Sequence, residues 1–528
     1  MTRQEQENLG LDRIYGLIQA PSSFLASVKQ QKLSASGYTL ASARSAYERR
    51  DILLRCLKAE PRHKWQELFA HLCPLRLSGG KASLSITDLY ELKSFFYHYR
   101  RLRDYALERN LKSYTLPDLQ LLFELLDPEA SGLPGFRLSP LFSSKLSTLD
   151  NERQGQNLLL KKERVRYLEE AKSALGNQRL KESFCLSRSE SELVRSLESS
   201  AYFMISAQSV ANITFSLADS QQSNAIKEKI ARLNLKIEEA EEEILENLSA
   251  RIYDHKQELD LAIENCAELG WDYMLADYAL QQQCCIPVLN NANSTKLYIK
   301  AMRNLPLQKA IGATSRDYQD LDISFEGKVN LITGPNMGGK TSLLKALAQC
   351  AELCRRAIPI PAKEAAMPLY QYIYYNNERE NDSLSSFGAE VVAFNKALGK
   401  AGRGLYLLDE FARGTNPYEG EALATAVISY MAQTPHSTIA ATHYTKPAGI
   451  KGISHFRIKG IDPSIAGNPL VKGNLEERLR FLAQAMDYTL VEVTDTGNPP
   501  LDAIRIASIL GMPEAILKLV EQTKHAKD

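Results

Sequence analysis

The chain has 528 residues, with 64 Lys and Arg against 63 Asp and Glu, so the net charge is +1. A chain of this length exceeds a single core and divides into about three or four domains. A near-neutral balance removes the global basic excess that marks many nucleic-acid and membrane-surface binders, while leaving room for a local basic groove. The eight cysteines, at 56, 73, 185, 266, 284, 285, 350 and 354, form no C-x-x-C pair and no zinc spacing, and are read as reduced, mostly buried thiols. The N-terminal M-T-R-Q-E-Q-E-N carries no apolar signal region, and no apolar run reaches the ~18 residues of a membrane span. The expected location is cytoplasmic, without a membrane partner.

From Leu11 to about Leu111 apolar residues recur at helical spacing, as in Ile52, Leu53, Cys56 and Leu57, then Leu89, Leu92, Phe95, Phe96 and Tyr99. Gly79-Gly80 interrupts this region, and Ser85 to Asp88 supply capping residues for the next helix. The cluster Arg100, Arg101, Arg103 is either a solvated helix face or a nucleic-acid contact. Pro, Gly and Ser between about Asp127 and Leu146 predict a connector. Lys161, Lys162, Arg164 and Arg166 then lie on a further helix with the same two readings. Short β-prone runs at Tyr202 to Ile205 and Ile213 to Leu217 predict a small sheet or hairpin.

The stripe Ile226, Ile230, Leu233, Ile237, Ala240, Ile244, Leu248, Ile252 predicts a long helix from Gln221 to about Glu268, ending near Gly270. Glu238, Glu239, Glu241, Glu242 and Glu243 fall largely off the stripe and face solvent. A second helix is expected through Gln283.

The sharpest chemical signal is V-N-L-I-T-G-P-N-M-G-G-K-T, Val329 to Thr341. A β-branched and apolar strand, a glycine loop and a helical pattern follow one another, with Gly334-x4-Gly339-Lys340-Thr341 in phosphate-loop spacing. Backbone N–H groups in such a loop wrap phosphates, the lysine reaches the terminal phosphates and the hydroxyl ligates magnesium. About 70 residues on, the apolar strand Leu405 to Leu408 ends in Asp409-Glu410. Adjacent carboxylates on a strand face opposite ways, so Asp409 suits the magnesium side and Glu410 suits deprotonation of an attacking water. A third strand, Ser437 to Ala441, ends at Thr442-His443, where a histidine can hydrogen-bond a γ-phosphate. Asp382 to Glu390 (D-S-L-S-S-F-G-A-E) precedes a helix through Leu398, either as a simple cap or as an anion-binding N-terminus.

G-P-N-M-G-G-K-T, S-L-S-S-F-G-A-E, L-L-D-E-F-A-R-G-T-N-P-Y-E-G and A-A-T-H-Y, in this order, resemble the ATPase domain of the MutS family across about Asp320 to Tyr444. The resemblance implies that Gly334, Asn336, Gly338, Gly339, Lys340, Thr341 and Ser342 hold phosphates and magnesium. It implies Asp409 with Thr341 as the magnesium side, Glu410 as catalytic base and His443 as switch histidine. Ser385 and Ser386 would reach the partner subunit's γ-phosphate. Tyr318 lies near the family's adenine-stacking aromatic, although its spacing from the loop departs from the pattern. The implied cofactors are ATP and Mg2+, and the implied assembly is a homodimer or heteromer with composite sites.

The departures are equally informative. No mismatch-reading domain with a Phe-x-Glu motif, and no small nuclease-type domain, is expected in this chain. The organisation is closest to short bacterial MutS paralogues outside mismatch repair. Among them it is similar to the MutS-related ATPase subunits that reactivate lysine 5,6-aminomutase, a cobalamin enzyme, most visibly at D-E-F-A-R-G-T-N-P-Y-E-G. The expected fold is an α/β phosphate-loop ATPase domain of the ABC/MutS type joined to a mainly α-helical core and lever with a long helical arm. The expected segments are a helical core (1–126), a connector with a reduced clamp-like region (127–220), lever helices (221–286), the ATPase domain (287–460) and a C-terminal segment with dimerisation-type helices (461–528). Two functions compete: an ATP-driven reactivase acting on a protein client, with a second reactivase subunit as further partner, and a DNA-structure binder acting in repair or recombination.

Overall fold

The computed structural model describes residues 3–525 apart from 74–82, 292, 313–317, 336–337, 377–385, 462–473 and 494–501. The chain forms two compact units. One combines Met1–Ala70, Arg109–Tyr114 and Ala267–Asp528; the other combines His71–Glu108 and Thr115–Cys266.

The first unit is built on a six-stranded sheet ordered Met486–Glu492, Ser454–Ile461, Val329–Thr333, Ser437–Ala441, Gly404–Asp409, Tyr372–Tyr375. All neighbouring strands are parallel except the first pair. V-N-L-I-T, G-L-Y-L-L-D and S-T-I-A-A are buried along nearly their whole length, as expected of parallel strands covered on both faces. Their order has a direct chemical consequence. The strand leading to His443 lies between the phosphate-loop strand and the Asp409 strand, so all three motifs leave the same edge of the sheet, where ligands of open parallel sheets bind. A smaller four-stranded sheet joins Val288–Leu289, Glu364–Met367, Leu297–Met302 and Leu321–Phe325.

A buried ion network ties the helices of this unit together. Asp272 is fully buried, and its Oδ1 accepts from Arg50 Nε at 2.7 Å, while its Oδ2 accepts from Arg49 Nε at 2.8 Å and from the Tyr114 hydroxyl at 2.8 Å. Arg50, also fully buried, donates further to the Ala357 carbonyl, just beyond the helix that begins at the phosphate loop. Three stretches distant in sequence thus meet on one carboxylate.

The second unit contains Ile86–Glu108, the long helices Ser144–Ala174 and Gln221–Asp254 packed on each other, and a three-stranded antiparallel sheet. That sheet includes the two expected β-prone runs as Phe203–Gln208 and Asn212–Leu217, plus a third strand, Ser183–Ser187. S-F-C-L-S is too short and polar to declare itself without its partner, to which it pairs register by register. Ser220 caps the Gln221 helix, accepting from Ser223 N at 3.0 Å while donating to Glu163 at 2.7 Å.

The expected helix from Gln221 to Glu268 is two helices. Gln221–Asp254 ends at His255, whose φ of −100° and ψ of 17° leave the helical region, and Lys256–Gln281 follows at once. Gly270, expected near a helix end, lies inside the second helix. A Cβ there would stand 2.3 Å from a Leu25 methyl, so the glycine serves close packing rather than termination. The stripe itself is as expected: Ile226, Ile237, Ala240, Ile244, Leu248 and Ile252 are buried. No described helix is long and apolar enough to cross a membrane.

Removing one partner of a buried ion pair leaves the other charge uncompensated, at a cost of about 3–5 kcal/mol. Asp272→Ala is expected to destabilise the first unit by that order. Urea unfolding followed by tryptophan fluorescence, which reports the buried Trp65 and Trp271, checks it; a midpoint equal to that of the unsubstituted chain would contradict it.

Candidate active site

The phosphate loop has the backbone that its glycines predict. Gly334 (φ 145°) and Gly339 (φ 77°) adopt positive φ, which side-chain-bearing residues rarely occupy, and the helix Lys340–Arg355 starts directly after Gly339. The loop closes on itself through Gly338 N donating to the Pro335 carbonyl at 2.8 Å. Lys340 is only 4% exposed, and its ammonium donates to the Gly334 carbonyl at 2.8 Å and the Pro335 carbonyl at 3.0 Å. Burial lowers its pKa, and the Glu410 and Asp409 charges oppose that effect. Thr341 and Ser342 occupy the first turn of the helix. Asn336 lies outside the described residues, as does Ser385. Ser386 begins the helix Ser386–Leu398.

Asp409 is the last residue of its strand and sits beside Thr341. Its Oδ2 accepts from the Tyr375 hydroxyl at 3.2 Å, while its buried Oδ1 has no hydrogen-bond partner. Burial raises its pKa; the Thr341 and Tyr375 hydroxyls pull it down, and the neighbouring Glu410 charge adds to the rise. A buried carboxylate oxygen left unpaired next to the phosphate-loop hydroxyl is a ready cation ligand, so the donor set fits a hard divalent ion such as magnesium.

Glu410 follows at φ 50°, with its N–H donating to the Ala441 carbonyl at 2.9 Å. Its carboxylate lies 4.0 Å from the Lys340 ammonium and 2.8 Å from the Arg413 guanidinium. Lys340, Asp409 and Glu410 therefore converge from two different elements on one small volume. His443 is exposed just beyond the end of Ser437–Ala441, its ring 4.4 Å from that of Tyr444. Tyr318 is half-buried, with its hydroxyl accepting from Asn304 N at 2.7 Å.

Two residues to which the motifs assigned no role complete the Asp409–Glu410 turn. Asn376 Oδ1 accepts from Asp409 N, and its Nδ2 donates to the Asp409 carbonyl at 3.0 Å and to Glu390 Oε1 at 2.5 Å. Glu390 Oε2 accepts from Ala412 N at 3.0 Å. A signal for Asn376 is present in the sequence: Y-I-Y-Y-N is another apolar run that ends in a polar residue, like L-Y-L-L-D and T-I-A-A-T. Tyr488 is a further neighbour of the loop, close enough that a Cβ on Gly339 would stand 3.0 Å from its ring. No local pattern links Met486–Glu492 to residues some 150 positions earlier.

The thiols of Cys350 and Cys354 are buried in the helix after the loop, and burial pushes Cys354 up to about 12. They pack as neutral apolar groups, as expected.

The basic clusters of the second unit are engaged locally. Arg100 donates to Gln120 at 2.8 Å and lies over the Phe123 ring, and Arg103 reaches the Leu116 carbonyl at 3.2 Å and Asp118 at 3.2 Å. Arg164 pairs with Glu182 at 3.1 Å, and Arg166 with Glu163 at 2.7 Å and Glu170 at 2.8 Å. Lys161 and Lys162 are exposed. Over its two segments this unit carries 24 Lys and Arg against 29 Asp and Glu, an acidic excess of five.

Residues 330–526 match the family profile described as MutS domain V. The chain is 25% identical to the DNA mismatch repair protein MutS of Listeria innocua over 413 residues, covering 73% of this chain and 47% of that protein. It is 27% identical to the DNA mismatch repair protein MutS of Streptococcus gordonii, covering 70% and 44%. It is 30% identical to Endonuclease MutS2 of Halothermothrix orenii, covering 55% and 35%. The chain thus spans less than half the length of these curated relatives.

Because the folded Asp409 pKa is raised, ionised Asp409 costs stability above the ordinary carboxylate range, and the cost vanishes as pH falls through it. Asp409→Asn is therefore expected to raise the melting temperature of the protein at neutral pH. Thermal melts with and without the substitution check the sign; a lowered melting temperature would contradict it.

Proposed function

We propose, from a MutS domain V over residues 330–526 and relatives among the MutS and MutS2 proteins, that this chain hydrolyses ATP and uses nucleotide-driven closure of a dimer to remodel a partner. The observation that carries the ATPase reading is the convergence of the buried Lys340, the unpaired Asp409 Oδ1 and Glu410 at neighbouring strand ends. The loop from Gly334 to Ser342 holds the phosphates, with Lys340 giving the terminal phosphates a desolvated positive charge. Thr341 and Asp409 would hold a magnesium ion, which when bound neutralises charge on the phosphate oxygens. Glu410 orients the attacking water and takes its proton as the water oxygen bonds to the γ-phosphorus and ADP departs. His443 contacts the γ-phosphate, and Ser385 and Ser386 address the partner subunit's nucleotide. Tyr318 is assigned to the base.

The load is proposed to be a protein, of the class of a cobalamin-dependent aminomutase whose damaged cofactor must be expelled. Support comes from the D-E-F-A-R-G-T-N-P-Y-E-G resemblance and from the acidic excess and locally paired arginines of the second unit, which disfavour a phosphate backbone. In this reading Gln221–Asp254 and Lys256–Gln281 act as the lever. The second reading, a DNA-structure binder in repair or recombination, is favoured by the names of the MutS and MutS2 relatives.

Glu410→Gln is expected to abolish turnover while retaining ATP binding; undiminished hydrolysis would refute the mechanism. Specific activity of the unsubstituted chain should rise with protein concentration as composite sites form, and full activity from a demonstrated monomer would refute the dimeric site. Pull-down with the Glu410→Gln variant and ATP separates the loads. An aminomutase retained supports the first, and duplex DNA retained with a steep loss on raising salt supports the second.

A further inference from the structure

We infer that Glu390, acting through Asn376, is a positioning residue that sets the Asp409–Glu410 turn for hydrolysis, an inference that rests on the ATPase reading above. The carboxylate of Glu390 bridges the turn from both sides. One oxygen takes the Asn376 amide at 2.5 Å, and that same amide group brackets the Asp409 peptide, accepting from its N–H and donating to its carbonyl at 3.0 Å. The other oxygen takes Ala412 N at 3.0 Å. Glu410 lies between these two anchored points.

The backbone needs such anchoring. Glu410 (φ 50°) and Ala412 (φ 66°) both sit in the left-handed region, which residues bearing a Cβ hold only when surrounding bonds over-determine it. The Glu410 N–H bond to Ala441 and the Glu390 bond to Ala412 N fix the turn on its two flanks. Both amide hydrogens and the carbonyl oxygen of Asn376 are engaged in this bridge.

The location of Glu390 gives the bridge a second consequence. It stands four residues into Ser386–Leu398, and so one turn from the N-terminus that addresses the partner's nucleotide in the proposed dimer. Ordering at that N-terminus is carried to Glu410 through one carboxylate and one amide. Each site's water-activating residue is thereby tied to the helix that completes the opposite site.

Misplacing a catalytic group by about 1 Å costs on the order of 100-fold. Glu390→Gln presents an amide hydrogen to a donor at one of its two contacts, and Asn376→Asp sets a carboxylate against Glu390. Each is expected to lower kcat by roughly 10–100-fold with the ATP dissociation constant, read with a fluorescent nucleotide, within about twofold. The pair Asn376→Asp/Glu390→Gln restores the contact between the two positions with reversed polarity, because the amide introduced at position 390 donates to the carboxylate introduced at position 376 while its oxygen still accepts from Ala412 N, and only the donor to the Asp409 carbonyl stays lost. It should recover about tenfold of the lost kcat, the coupling expected of two residues in contact, and the fall in kcat at unchanged ATP affinity is the readout that a merely structural role would not give. Unchanged kcat in the single variants, loss of ATP binding in both, or a double variant showing the product of the two losses would overturn the inference. Undiminished turnover by Glu410→Gln would instead overturn the ATPase reading, so the two failures are distinct.

Discussion

A buried ammonium between two carboxylates is the constraint on which the first unit turns. Lys340 is almost wholly withdrawn from water, and burial works against its charge. The neighbouring Asp409 and Glu410 restore that charge, yet each would be costly alone in the same dry space. The fold resolves this with backbone rather than solvent. Carbonyls of Gly334 and Pro335 accept from the ammonium, the Tyr375 hydroxyl donates to one Asp409 oxygen, and the strand order fixes the separation. One Asp409 oxygen remains without a partner, which marks where the site is made for something other than itself. Electrostatic groups already oriented before substrate arrives need no reorganisation at the moment of reaction.

Much of this was legible because it is local. A strand, a glycine loop and a helix are contiguous, and the three strand-end motifs each announce themselves by an apolar run stopping at a polar residue. The sheet then places the Ser437–Ala441 strand between the other two. What stayed hidden depends on distance in sequence. The Asn376–Glu390 bridge joins two segments through side chains, and periodicity does not record which side chains meet. The approach of Tyr488 to Gly339 and the docking of three arginine and tyrosine donors on Asp272 are of the same kind.

The departures in the helices follow from tertiary packing outweighing local signals. Gly270 reads as a terminator by composition, yet the helix continues through it, and the leucine methyl nearest its missing Cβ accounts for a glycine at that position. The break falls instead at His255, where the apolar stripe gives no warning because Ile252 and Leu259 on either side remain buried. Arg100, Arg103, Arg164 and Arg166, which in one dimension read equally as a solvated face or a contact surface, are paired with near neighbours in three.

In the proposed hydrolysis, the Glu410 carboxylate benefits from being held by a distant helix as well as by its own sheet. A strand end fixes Asp409, whose task is static, through ladder bonds and the Asn376 amide. Glu410 must leave the ladder to face the phosphate loop, and it does so in a left-handed conformation that the strand cannot enforce. Beyond the Glu410 N–H bond to the Ala441 carbonyl, the restraint on the far flank comes from Glu390, on an element that neither the phosphate loop nor the Asp409 strand contains. If that element also completes the partner's site, a conformational step at one nucleotide alters the water-activating geometry at the other without any contact between the two nucleotides. Coupling of this sort requires a differential interaction with two arrangements of the helix, and the Asn376–Glu390 pair supplies the bonds through which such a difference is felt.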